Sequence, residues 1–186
     1  MFVPRGWKNA DAVAAMRDFL SQPPPRRAAT RDLIGELHSD DPFTLRCAAD
    51  VARRISAREP GILQAHASQL IDLAAQLPDD QWQARGYVHM TAALNAVTHA
   101  QRMQLSTLLG PMIDDKRIAV RAMALEALAI VAVPEPGLRK QVLPLLESAE
   151  CLGRCALRCR ARRMLPVLLE SEAKHRQNIP SRNSPL

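Results

Sequence analysis

The most regular segment of the chain reads Asp115-Lys116-Arg117-Ile118-Ala119-Val120-Arg121-Ala122-Met123-Ala124-Leu125-Glu126-Ala127-Leu128. Its second half is built almost entirely from Ala, Leu and Met, which favour helices, and it contains neither Gly nor Pro. Asp115 stands just before the apolar run, where a carboxylate can cap the free N–H groups of a helix. The segment therefore predicts an acidic turn followed by a helix that carries Arg121 near its start.

The same pattern recurs along the chain. Aligned arginines stand at Arg46, Arg85, Arg121 and Arg158, with spacings of 39, 36 and 37 residues. The position three residues earlier is occupied by Phe43, Trp82, Ile118 and Cys155, and the position one residue later by Cys47, Gly86, Ala122 and Cys159. Acidic turns precede the first three arginines at Asp41, Asp80 and Asp115. A repeat of this length is typical of proteins built from stacked helix pairs.

This alignment divides the chain into consecutive units. They are an N-terminal capping helix at about 8–21, helix pairs at about 26–57, 60–97, 100–133 and 136–170, and a disordered basic tail at 171–186. The tail is predicted from its polar composition. Pro23-Pro24-Pro25-Arg26-Arg27 is interpreted as the connector after the cap, although it also resembles a short polyproline ligand.

Composition agrees with an all-α protein. Apolar residues make up 47% of the chain but aromatic residues only 3%, and no alternating Val/Ile/Thr/Tyr run indicates a strand. No segment approaches the roughly 20 apolar residues that cross a bilayer, and the N-terminus lacks the apolar core of a secretory signal. We therefore expect a cytoplasmic protein with reduced cysteines and no membrane contact.

The segment at 115–128 and the segment Val142-Leu143-Pro144-Leu145-Leu146 resemble HEAT repeats of the armadillo-like family. In that family the first helix often carries a proline, an Asp marks the turn, and Val-Arg followed by small residues opens the second helix. Pro111 and Pro144 match the proline here, and the resemblance covers about residues 26–170. It implies a right-handed α-α superhelix, an alpha solenoid whose arginine-bearing helices line the concave face, and no particular chemistry.

The arginine column itself is interpreted as architectural. An Asp and an Arg five or six residues apart at each turn predict a ladder of charge-assisted hydrogen bonds between repeats.

Three of the four cysteines, Cys151, Cys155 and Cys159, repeat every four residues. On a single helix the outer two would stand about 12 Å apart, which is too far for one zinc ion. Because Cys155 and Cys159 fall in the apolar and small columns, both are predicted to pack in the core. A metal or redox role is the alternative.

Catalytic motifs are absent from the sequence. The five histidines are scattered at His38, His66, His89, His99 and His175, and the seven glycines form no phosphate-binding loop. No nucleophile elbow is present either. The sequence therefore predicts no enzyme, no cofactor, no metal site and no small-molecule substrate.

The remaining features favour a protein–protein interaction scaffold or adaptor that uses the concave face. Positions four and five residues after each column arginine vary most in chemistry, as a surface adapted to one partner would. Residues 151–186 also carry eight basic and two acidic residues, a difference equal to the net charge of +6. The candidate partner-binding residues are Asp50, His89, Glu126, Arg160, Arg162 and Arg163. The alternative is a nucleic-acid-binding module that uses the C-terminal arginines, which otherwise form a solvated end cap.

Overall fold

The computed structural model describes residues 9–177 of the 186-residue chain. All regular structure in that range is helical, which confirms the all-α class. Nine α-helices lie there: α1 (Asn9–Ser21), α2 (Arg27–Leu37), α3 (Pro42–Arg58), α4 (Ala67–Gln76), α5 (Trp82–Asn95), α6 (His99–Leu109), α7 (Ile118–Ala132), α8 (Pro136–Leu152) and α9 (Cys155–Gln177). Short 3₁₀ turns occupy Gln64–His66, Asp79–Gln81 and Gly110–Asp114.

The helices pack in two layers. In one layer α1 contacts α3, α3 contacts α5, α5 contacts α7, and α7 contacts α9. In the other layer each even-numbered helix packs on the odd-numbered helix that follows it. Most buried apolar side chains join in one continuous core that runs from Ala12 in α1 to Leu168 in α9.

Helices α5 and α7 are enclosed by their neighbours. Eleven of the fifteen residues of α7 are buried, including every residue from Ala122 to Ala129. The two helices approach so closely that a Cβ atom at Gly86 would overlap the Met123 side chain. The small-residue column therefore packs as predicted at Cys47, Gly86 and Ala122, because those positions face neighbouring helices.

The predicted start of a helix is confirmed at Asp41 and is wrong at Pro60. Asp41 caps α3 as predicted, since its carboxylate accepts hydrogen bonds from the Thr44 N–H at 2.9 Å and the Phe43 N–H at 3.4 Å. The prediction that a helix begins at Pro60 is wrong, because α4 begins only at Ala67. Gly61 adopts a φ of 84°, which a continuing right-handed helix does not allow.

The predicted disordered tail is wrong for residues 171–177, which extend α9. Ser171 donates a hydrogen bond to the carbonyl of Val133 at 2.7 Å, and Glu172 pairs with Arg139 at 3.0 Å. These contacts hold the helix against the preceding unit. The rest of the predicted tail, 178–186, and the first residue of the predicted cap lie outside the described residues. Among residues 9–177 no helix combines the length and apolar character needed to cross a membrane.

Candidate interaction surfaces

Two of the six predicted partner-binding residues are buried. His89 is 1% exposed and Glu126 is 5% exposed. Asp50 is half-buried and pairs with Arg53 at 2.6 Å and with Arg54 at 3.0 Å. The prediction of an exposed position is therefore wrong for His89 and Glu126, because neighbouring helices cover α5 and α7 beyond their first turn.

Glu126, Arg160 and Arg163 are brought together by the fold. Glu126 projects from α7 and forms ion pairs with Arg160 and Arg163 of α9. A buried carboxylate needs such partners, since an unpaired charge in the interior is costly. Arg162 lies apart from this group and stands 3.5 Å from Glu150. The three predicted C-terminal arginines are thus each paired with a carboxylate, and two of them fasten α9 to α7.

His89 is a neutral core residue. Its Nδ1 lies 2.7 Å from the Arg85 carbonyl, and because a carbonyl only accepts, Nδ1 carries the proton. Burial, together with the nearby Arg85 charge, lowers the pKa of His89 to about 4, although the hydrogen bond to the Arg85 carbonyl acts in the opposite direction. His89 therefore presents no group to a partner at neutral pH.

The arginine column is structural but forms no uniform ladder. Only Arg85 pairs with a turn carboxylate, that of Asp79. The other three bind different acceptors: Arg46 donates to Gln83 Oε1 at 3.2 Å, Arg121 to the Ile113 carbonyl at 3.1 Å, and Arg158 to the Gly153 carbonyl at 3.2 Å. The predicted Asp–Arg ladder is wrong, because Arg121 and Arg158 bind free backbone carbonyl groups near the turns and Arg46 binds the Gln83 side chain.

A different set of arginines links consecutive units, and the sequence analysis missed it. Each lies at the start of an even-numbered helix (α2, α6 or α8). Each pairs with a glutamate 33 residues later: Arg26 with Glu59 at 3.0 Å, Arg102 with Glu135 at 2.8 Å, and Arg139 with Glu172 at 3.0 Å. Each also donates to a carbonyl six residues earlier, that of Leu20, Ala96 or Val133. The constant Arg-to-Glu spacing is the sequence feature that identifies these pairs, which we call the arginine staples.

An open groove lies between α2 and the segment leading into α4. Its volume is about 680 Å³, and its apolar part includes Pro24, Pro25, Ile34 and Ile62. Arg27 and Arg31 stand one turn apart on its α2 side, are exposed, and have no carboxylate partner within the described part of the chain. His66, which bonds Gln69 at 2.9 Å, completes the opposite wall. The groove thus joins apolar surface to positive charge that is not neutralised.

The cysteines are placed differently from the prediction. Cys47 is buried, but Cys151, Cys155 and Cys159 are exposed, so the prediction that Cys155 and Cys159 pack in the core is wrong. Within residues 9–177 no further helix covers that flank of α9. The three also do not share one helix, since α8 ends at Leu152 and α9 begins at Cys155. No group of three metal-ligating side chains occurs among the described residues.

Residues 9–177 thus form an all-α protein of two helix layers, joined by arginine staples, with an open basic groove beside α2. No family model, curated protein or solved structure matches the chain.

Proposed function

We propose that the protein is a non-catalytic protein–protein interaction scaffold, built as a short right-handed solenoid of HEAT type. Its binding site is the groove between α2 and α4, and its ligand is an acidic segment of a partner protein that also carries apolar side chains. The observation that supports this proposal most directly is that Arg27 and Arg31, which have no carboxylate partner among residues 9–177, stand beside the apolar part of the groove.

The packing order supports the solenoid. Helix pairs contact the pairs next to them along the chain, as the repeats of a solenoid do. The arginine staples stand at the starts of α2, α6 and α8. Each binds a glutamate 33 residues later and a backbone carbonyl six residues earlier. The HEAT resemblance of 115–128 and 142–146 predicts the same architecture.

The chemistry of the groove supports the choice of ligand. Guanidinium groups form paired hydrogen bonds to carboxylates, so Arg27 and Arg31 favour aspartate or glutamate side chains. Ile34 and Ile62 provide apolar surface that remains partly exposed until a ligand covers it. A volume of about 680 Å³ accommodates a few side chains of a peptide.

Selection from a random-peptide library tests this proposal. The full-length protein serves as bait, and the Arg27→Glu/Arg31→Glu variant serves for counter-selection. We expect enriched peptides that combine Asp or Glu with Leu, Ile or Phe and that lose binding to the variant. Enrichment of basic peptides, or of peptides that bind the variant equally well, would contradict the proposal.

Nucleic-acid binding is the rival function, and the exposure of Arg154 and Arg158 favours it. Ion pairing of Arg160, Arg162 and Arg163 weakens it, because these charges are already partly neutralised. Titration with labelled duplex and single-stranded DNA at several salt concentrations separates the two functions. Binding that weakens steeply with salt and with neutralisation of Arg154 and Arg158 would support the rival.

A further inference from the structure

Two exposed thiols stand side by side on the first turns of α9. The Sγ atoms of Cys155 and Cys159 are 4.0 Å apart, and both side chains are exposed. Cysteine is among the most frequently buried residue types, and a reduced thiol at the surface is open to oxidation. Because both thiols are exposed, core packing does not explain why two cysteines stand at these positions.

The separation of the two sulfur atoms matches one edge of a metal–thiolate tetrahedron. With Zn–S bonds of about 2.3 Å, tetrahedral geometry places sulfur atoms about 3.8 Å apart. Residues four apart on a helix face the same side, so the backbone needs no change to bring both sulfur atoms to one ion. Cys155 and Cys159 thus provide two of the four ligands of such a site.

The other two ligands have no source near the pair in the described part of this chain. No third His, Cys, Asp or Glu side chain there completes a metal-binding group. Zinc sites that lack an open catalytic position are almost always four-coordinate. A second copy of the chain, related to the first by a two-fold axis, would supply an identical pair of thiolates.

Charge around the pair fits that arrangement. Four thiolates and one divalent cation carry a net charge of two minus, and Arg154 and Arg158 are exposed on the same segment. In the absence of the ion, these arginines make two copies repel each other. Farther along α9, the large apolar side chains of Val167 and Leu169 are exposed as well.

We propose that Cys155 and Cys159 form half of a tetrahedral thiolate site for a thiophilic divalent cation of the zinc class, and that a second copy of the chain completes it. Binding converts four thiols and one M²⁺ ion into a tetrathiolate complex and releases four protons to solvent. The ion thereby links two copies through the N-terminal end of α9.

Titration of the reduced, metal-free full-length protein with Co²⁺ and then Zn²⁺ tests this proposal. We expect thiolate-to-cobalt charge-transfer bands that saturate at one ion per two chains and disappear when Zn²⁺ displaces Co²⁺. Light scattering after gel filtration should show the mass doubling with Zn²⁺ and returning to the monomer with chelator.

Matched variants identify the ligands. Cys155→Ser and Cys159→Ser should each lose the cobalt bands and the doubling in mass, whereas Cys151→Ser, an exposed cysteine outside the pair, should keep both. Circular dichroism checks that all three variants fold, as exposure of the substituted side chains predicts. Absence of thiolate bands, saturation at one ion per monomeric chain, or equal loss in Cys151→Ser would overturn the proposal.

Discussion

Asn95 lies at the C-terminal end of α5 with its side chain buried, and its amide group bonds three partners. Its Oδ1 accepts from the Leu63 N–H at 2.7 Å, and its Nδ2 lies 2.8 Å from Ser56 Oγ and 2.7 Å from the Thr91 carbonyl. These bonds connect α3, α5 and the loop before α4. One amide side chain thus fixes the position at which three segments meet.

Replacing Asn95 with Ala tests this role. The variant leaves the Leu63 N–H and the Ser56 hydroxyl without their present partner in the interior, so we expect the free energy of unfolding to fall by about 2–4 kcal/mol. Urea unfolding at neutral pH measures it. Gln76→Ala, which removes an exposed amide from α4, serves as the control and should change stability by less than about 0.5 kcal/mol.

The buried imidazole of His89 predicts a pH dependence of stability. Its pKa in the folded protein, about 4, lies below the ordinary value of 6.5, so the unfolded chain binds the proton more tightly. Stability from this group is fully present above pH 6.5 and is lost as the pH falls toward 4. At pH 5 the loss should be about 2 kcal/mol.

Unfolding free energies of the wild type and His89→Leu at pH 7.5 and pH 5 measure this effect. The difference between the two pH values should be about 2 kcal/mol smaller in the variant, because it has no imidazole to protonate. Equal differences in both proteins would show that another group causes the acid sensitivity.

At the scale of single helices, the arginine staples connect units that are otherwise held by apolar packing. Arg139 is the most buried of the three staple arginines, at 2% exposure, and it binds both Glu172 and the Val133 carbonyl. Its hydrogen bond to Glu172 lowers the pKa of that carboxyl. The staple therefore holds the C-terminal half of α9 against the start of α8.

A double-mutant cycle at Arg139 and Glu172 measures this contribution. Glu172→Met should lower the free energy of unfolding by about 3–5 kcal/mol, since it leaves the buried Arg139 guanidinium without its carboxylate partner. The double variant Arg139→Met/Glu172→Met should recover part of that loss, because two apolar side chains replace the ion pair. Additive losses in the cycle would mean that the two side chains act independently.

How far sequence predicts an element depends on where its determinants lie. The helix start at Asp41-Pro42 was predictable, because both the capping carboxylate and the proline are local. Glu-Pro-Gly opens α8 directly at Pro136 but not α4 at Pro60. The difference comes from tertiary contacts. Leu94 and Asn95, more than thirty residues away, accept hydrogen bonds from the backbone N–H groups of Gly61 and Leu63, and these bonds keep the segment in a non-helical conformation.

The exposed or buried state of site residues was less predictable. Glu126 is charged and lies in a variable column, which favours an exposed position, yet α9 covers it and neutralises it with two arginines. Cys159 shares a column with Gly86 but is exposed. Gly86 is buried because α7 packs against it, whereas no helix in the described part of the chain covers Cys159. Periodicity fixes which residues share a face, whereas burial depends on which other elements cover that face.

Over the whole molecule, paired and unpaired arginines distinguish structural charge from charge available for binding. The staples and the Glu126 cluster pair their guanidinium groups within the fold, and so does Arg162. Arg27 and Arg31 stand at an apolar groove without a carboxylate partner among residues 9–177. This contrast is the basis for assigning the groove, and not Arg160, Arg162 and Arg163, to partner recognition.

The most direct measurement is the affinity of a selected acidic peptide for the wild type and for two double charge reversals, determined by calorimetry. Arg27→Glu/Arg31→Glu alters the groove, whereas Arg17→Glu/Lys140→Glu reverses two exposed cations elsewhere and makes the same change in net charge. We expect the groove variant to weaken binding at least about 100-fold, since each lost charged pair contributes about 1.5–3 kcal/mol. The control should stay within a few-fold of the wild type, and equal weakening in both variants would contradict the assignment of the groove.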